Sequence, residues 1–215
     1  TDQINALDGV SQLGALSAAQ VAALSKSQIA AIDADNVSYL NLSAVSISAI
    51  DSTLFDNLSN AQIKTLKTAQ IAGLNAAQIA AITADQAANF TAVQAPAFKA
   101  LTGLSDSIVI PNLDKSFVAA IPTKTFAALT GDQLTALTED QVKALTSAQV
   151  AVLTSTKVGN LGVDVGQLTP AAVAGLIKTN ITGLTMSNLS GDGQFQALTS
   201  AQISYLSPTQ VTGLS

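Results

Sequence analysis

This chain of 215 residues contains no cysteine, histidine, arginine or tryptophan and a single methionine, so its 9 basic residues are all lysine. Those absences exclude zinc sites of the Cys/His kind, thiol nucleophiles and histidine acid–base chemistry. With 14 acidic residues the formal net charge is -5. Nucleic-acid affinity rests on clustered lysine and arginine, so nucleic acid is not an expected partner. No apolar run approaches the roughly 18 residues of a membrane span, and Thr1 opens the chain without a basic or apolar leader. The lack of cysteine fits a secreted chain and a cytosolic one equally. Aromatic residues make up only 4% of a chain that is 48% hydrophobic. That balance is too apolar for a disordered tail and too poor in bulky side chains for one thick core, so the large aliphatic residues must be spread thinly and regularly.

What is present is an eight-residue phrase. Examples are SAAQVAAL from Ser17, SNAQIKTL from Ser59, TEDQVKAL from Thr138 and TSAQVAVL from Thr146. About two dozen such octads cover nearly the whole chain, the self-similarity of a repeat architecture. Position one is Ser, Thr, Asp or Asn, position four Gln, position five Ile, Val or Leu, and position eight Leu or Ile. One continuous helix does not satisfy this pattern, because eight residues at about 100° each rotate the apolar pair by roughly 80° per repeat. A continuous strand fails as well, because positions five and eight point to opposite faces.

Capping chemistry supplies the alternative. A Ser or Thr N-cap followed three residues later by Gln is a capping box, with the hydroxyl accepting from the N3 amide and the Gln side chain returning to the N-cap amide. Thr138 with Gln141 and Thr146 with Gln149 make such pairs. Leu145 and Val150 flank the second box as a hydrophobic staple. Pro170 and Pro208 both fall at position two, the N1 site where proline is favoured. Most of the acidic residues, including Asp33, Asp35, Asp51, Asp85, Asp132, Glu139 and Asp140, lie in positions one to three, where a helix N-terminus stabilises negative charge. Each octad therefore restarts a helix of about two turns. So short a helix is unstable alone and must pack on its neighbours. The expected fold is all-α, a right-handed-type solenoid of very short helices, one per eight-residue repeat, with a β-solenoid as the alternative. The spacing leaves open how many octads complete a coil.

The expected organisation is an octad array over 1–98, an irregular kink or insert over 99–113 and a second array over 114–215, or one continuous solenoid. Asn41 and Leu42 read as an insertion, and the stretch from Gly162 to Leu168 is one residue short. Pro96 falls inside a would-be helix, and SIVIPNL with Pro111 reads as extended. Neither end resembles a polar capping repeat, so the array is expected to continue beyond this stretch. DADN at Asp33 to Asn36 and GDG at Gly191 to Gly193 carry the oxygen ligands of calcium loops without the rest of such a motif, and are read as caps and turns. The row of position-four glutamines can be a binding ladder or simply the capping boxes, and the position-one hydroxyls can be an array facing glycans or ice. Tyr39 and Tyr205 occupy position seven. No nucleophile–base pair, phosphate-cradling loop or facing carboxylate pair is legible, so no catalytic, cofactor-binding or metal residue is expected.

The octads TEDQVKAL TSAQVAVL and TSAQISYL SPTQVTGL resemble the ALTxxQVxAL-type repeats of very large secreted or surface-attached bacterial proteins, adhesins among them. The resemblance spans most of the chain. It implies an extracellular or cell-surface segment, exported by a one-step secretion system, and carries over no site residues. Two expectations follow. One is a non-catalytic structural element of an adhesin stalk, biofilm matrix or surface layer that self-associates or meets other surface proteins. The other is a binding module that grips a protein or glycan on one solenoid face or at Thr91 to Leu113.

Overall fold

A computed structural model describes residues 7, 9–161, 166–185 and 196–212. The described residues contain no strand and are built from short helices joined by turns, which removes the β-solenoid alternative there. The Gly162–Leu168 irregularity lies partly, and GDG at Gly191 to Gly193 wholly, outside the described residues.

The chain divides into two compact units, one formed by Thr1–Lys99 with Gly103–Leu113 and the other by Ala100–Thr102 with Asp114–Ser215. In the first unit the α-helices are α1 (Ala18–Ala22), α2 (Lys26–Ile29), α3 (Ala34–Val37), α4 (Ser52–Phe55), α5 (Asn60–Thr65), α6 (Thr68–Ile71), α7 (Ala76–Ala80) and α8 (Ala84–Ala87). In the second they are α9 (Lys115–Ala120), α10 (Thr123–Ala127), α11 (Gly131–Thr135), α12 (Glu139–Lys143), α13 (Ser147–Ala151), α14 (Ser155–Asn160), α15 (Pro170–Val173), α16 (Ser200–Ser204) and α17 (Pro208–Thr212).

The octad starting at Thr138 shows how eight residues make one side of the fold. Thr138 is extended, with φ -74° and ψ 161°. The Val142 amide bonds to the Thr138 carbonyl at 2.9 Å and the Leu145 amide to the Val142 carbonyl at 3.1 Å, so the helix ends in a tight i→i+3 turn. At Ile121, a position-eight residue that is itself the cap, the backbone is again extended, with φ -62° and ψ 125°, whereas Leu161 caps α14 in the helical region, with φ -66° and ψ -12°. At Ile121 the extended position-eight residue and the position-one residue after it, Pro122 with φ -58° and ψ 143°, turn the corner. The helices are consequently four to six residues long, shorter than the expected two turns, because the corner consumes the remainder of each octad. In the octads from Thr138 to Leu161 positions five and eight point inward, and Val142, Leu145, Val150, Leu153, Val158 and Leu161 are all buried.

Helix pairing follows a fixed step. In the second unit α9 packs on α12, α10 on α13 and α11 on α14; in the first, α4 packs on α7 and α5 on α8. Each partner lies three repeats along. The step survives the irregularities. At Asn41 the chain does not insert two residues into an octad but makes two shortened repeats, each with a 3₁₀ turn, Leu42–Ala44 and Ile47–Ala49. α3, before them, still packs on α4 after them. Pro96 sits in a 3₁₀ turn, Ala95–Ala97, which packs on α6. The SIVIPNL stretch is not extended as expected. It forms a turn and the 3₁₀ helix Ile110–Asn112, with Pro111 in the first helical turn where no amide is missed.

Candidate functional site: a buried glutamine ladder

Among the described residues, the position-four glutamines are the polar side chains that recur in the interior. The capping boxes form as expected. Thr138 Oγ1 accepts from the Gln141 amide at 3.3 Å while the Thr138 amide donates to Gln141 Oε1 at 2.8 Å. The same reciprocal pair forms at Thr146 and Gln149, at Thr83 and Gln86, and at Asn75 and Gln78. Pro170 and Pro208 open α15 and α17 at N1. Of the acidic positions, Asp51 caps α4 by accepting from the Thr53 amide at 2.9 Å. Asp33 precedes α3 without a side-chain cap bond.

Capping accounts for only the oxygen of each glutamine. The nitrogen faces the other way. Gln78 Nε2 donates to the Ile47 and Ile50 carbonyls, each at 2.8 Å. Gln94 Nε2 donates to the Ile63 and Leu66 carbonyls, each at 2.8 Å, and Gln149 Nε2 to Val118 at 2.8 Å and Ile121 at 3.0 Å. The acceptors are the position-five and position-eight carbonyls of the repeat four back. Gln62, Gln70 and Gln86 make the equivalent bonds, so five successive repeats from Ser59 to Phe98 each contribute a rung. Gln202 and Gln210 continue the pattern in the second unit.

The chemistry selects glutamine. At Gln94 the oxygen accepts the Thr91 amide at 2.8 Å and hydroxyl at 3.1 Å, and both amide hydrogens reach carbonyls, so all four hydrogen-bonding functions are used. Glutamate lacks the two donors, and lysine lacks the acceptor. Lys157, which replaces Gln in its octad, still donates Nζ to the Ala127 carbonyl, but no longer caps Thr154. Asn180 does both with a shorter reach, accepting from the Ile177 amide at 2.7 Å and donating to the Val150 carbonyl at 2.9 Å. The inward-facing ladder is what reasoning from the sequence missed. Its partners lie about thirty residues away, and the clue was the use of Gln where Glu serves a capping box equally well.

The remaining candidate features are peripheral. Tyr39 is exposed, whereas Tyr205 is half-buried, with Lys178 Nζ 5.7 Å from its ring centroid. Asp33, Asp35 and Asn36 belong to the start of α3. Among the described residues no group of three or more acidic side chains is placed to hold a metal ion, and no helix is long and apolar enough to cross a membrane.

A chain in which one capping box and one pair of buried carbonyls recur repeat after repeat is a repeat protein. Residues 55–92 match the ALTTAQ repeat family, in agreement with an ALTxxQ-type octapeptide repeat region. No curated protein matches the chain at a significant level.

Proposed function

We propose that the chain is a non-catalytic structural segment of an extracellular or cell-surface bacterial protein, such as an adhesin stalk, a biofilm matrix or a surface layer, acting through length and assembly. In this reading each compact unit is a solenoid with three repeats per turn, a pairing step of three repeats forming the sides and the glutamine rungs, in the repeats that carry one, tying a corner to the one beneath it. The observation that carries the proposal is the ladder itself: the most regular polar side chains, from Gln62 to Gln94, are buried against backbone carbonyls. They serve cohesion rather than a ligand. The surface location rests on the likeness to repeats of surface-attached proteins.

Size-exclusion chromatography with light scattering and small-angle X-ray scattering, run across a concentration series, tests this reading. An elongated particle that grows by end-to-end or lateral association with concentration is the expected result. A compact particle that stays monomeric at every concentration overturns it.

One observation favours a second reading, a module that binds a protein or glycan. The most exposed large apolar side chains, Val93 at 76% and Ile108 at 55%, both fall in the irregular stretch from Thr91 to Leu113. A monomer that binds a glycan array, and loses that binding in the V93S/I108S variant with its melting temperature unchanged, would support this alternative.

A further inference from the structure

The rungs are unevenly distributed in the first unit. Every repeat from Ser59 to Phe98 donates two amide hydrogens to a carbonyl pair in residues 37–66. The four repeats over residues 33–58 have no glutamine. Their octads carry Asn36 and Leu54 at position four, and the two shortened repeats between have no equivalent side chain. Among the described residues, no side-chain amide from 33–58 donates to a backbone carbonyl in 9–32. Among the described residues, α1 packs on the 3₁₀ helix Leu42–Ala44 and α3 on the π-helical turn Gly9–Leu13, around buried Leu13, Val21, Ile29 and Ile32, with no glutamine rung between them. Its capping boxes, Ser17 with Gln20 and Ser25 with Gln28, are local to each octad and do not cross the joint.

Packing without rungs differs from packing with them in one respect that matters for motion. Apolar contacts are non-directional and tolerate slip. A pair of buried carbonyls already bonded to a side-chain amide loses that partner when the joint opens, which ties opening of the joint to loss of specific bonds. We infer that residues 9–32 open and close as a cooperative element of their own, across a rung-free joint with residues 33–58, while the laddered segment 33–98 stays closed. The joint is a rung-free step beside a cross-bonded block, and the missing device is identifiable. Gln62 reaches Val37 and Leu40, 25 and 22 residues back, across the two shortened repeats. The same separations counted back from buried Leu54 arrive at Ile29 and Ile32. A glutamine at position 54 would therefore supply the absent rung.

Native-state hydrogen exchange read by mass spectrometry on the full chain tests the inference. In the wild type, amides of residues 17–32 should exchange at least tenfold faster than those of 60–90. In L54Q the amides of 25–32 should slow at least tenfold, and in Q62L the fast-exchanging region should extend into 33–40. Equal protection of 17–32 and 60–90 in the wild type overturns the inference. So does an unslowed 25–32 segment in L54Q whose 60–90 protection is intact. If L54Q loses protection throughout, the wild-type comparison and Q62L decide: faster exchange confined to 33–40 sustains the inference, and an unchanged 33–40 segment sinks it.

Discussion

At the level of single residues, the distinction between a cap and a rung can be measured. Removing the Thr83 hydroxyl with Ala deletes one capping bond and should cost about 1 kcal/mol. Gln86 caps Thr83 and also donates to the Phe55 and Leu58 carbonyls, at 2.7 and 3.2 Å. Gln86→Leu leaves those buried acceptors without their side-chain donor and should cost about 2 to 4 kcal/mol by denaturant titration. Gln86→Glu is more diagnostic. The carboxylate keeps the capping acceptor but faces carbonyl oxygens in a buried site, which raises its pKa above that of the unfolded chain. The folded state then holds more protons than the unfolded one, so the variant should gain stability relative to wild type as the pH falls from 7 to 5. A pH-independent difference between the two proteins would mean that Gln86 does not face its carbonyl partners. The capping half of this site was legible because its atoms lie three residues apart. The rung half was not, because nothing in an octad states which earlier carbonyls will lie beside its glutamine.

Helices of four to six residues are far below the roughly 12 to 15 residues needed for an isolated helix to persist in water. Their stability is therefore held in caps and in contact with the third repeat along. Replacing Thr138, Thr146 and Thr154 together with Ala should lower stability by about 3 kcal/mol, close to the sum of three independent caps. An unchanged denaturation midpoint would show that the caps are dispensable. Glycine marks how closely elements approach. A Cβ on Gly175 would overlap the Ser147 backbone and one on Gly183 the Ser155 backbone, each three repeats away, whereas one on Gly159, inside α14, would meet nothing closer than 3.5 Å. Gly175→Ala and Gly183→Ala should each destabilise by about 1 to 3 kcal/mol through overpacking. Gly159→Ala should instead stabilise by about 0.5 to 1 kcal/mol, through helix propensity. Thermal melts of the three variants separate these outcomes by sign. The existence of a helix in each octad followed from its caps and its apolar spacing. Its length did not, because nothing in the octad pattern states how many of its residues the turn between successive helices will use.

Across the whole molecule, the absence of histidine and cysteine that opened the sequence also governs its response to pH. With acidic groups and lysines as its main ionisable side chains, no side chain with an ordinary pKa titrates between about pH 5 and 8. The wild-type melting temperature should therefore be nearly flat from pH 5.5 to 7, as expected for an array whose interior bonds are amide to carbonyl. Acid should expose the caps. The Ser116 hydroxyl and amide both donate to Asp114, the amide at 2.7 Å, and hold its carboxyl below the usual carboxylate range. A carboxyl depressed in the folded state binds fewer protons there than in the unfolded chain. Its contribution is present above the unfolded pKa and is lost as the pH falls through the folded one. Stability should thus decline below about pH 4, and D114N should lessen that decline while leaving the plateau above pH 5.5 level. A wild-type melting temperature that changes steeply between pH 5.5 and 7 would require an ionisable group inside the array, and would contradict an interior held together by neutral glutamines.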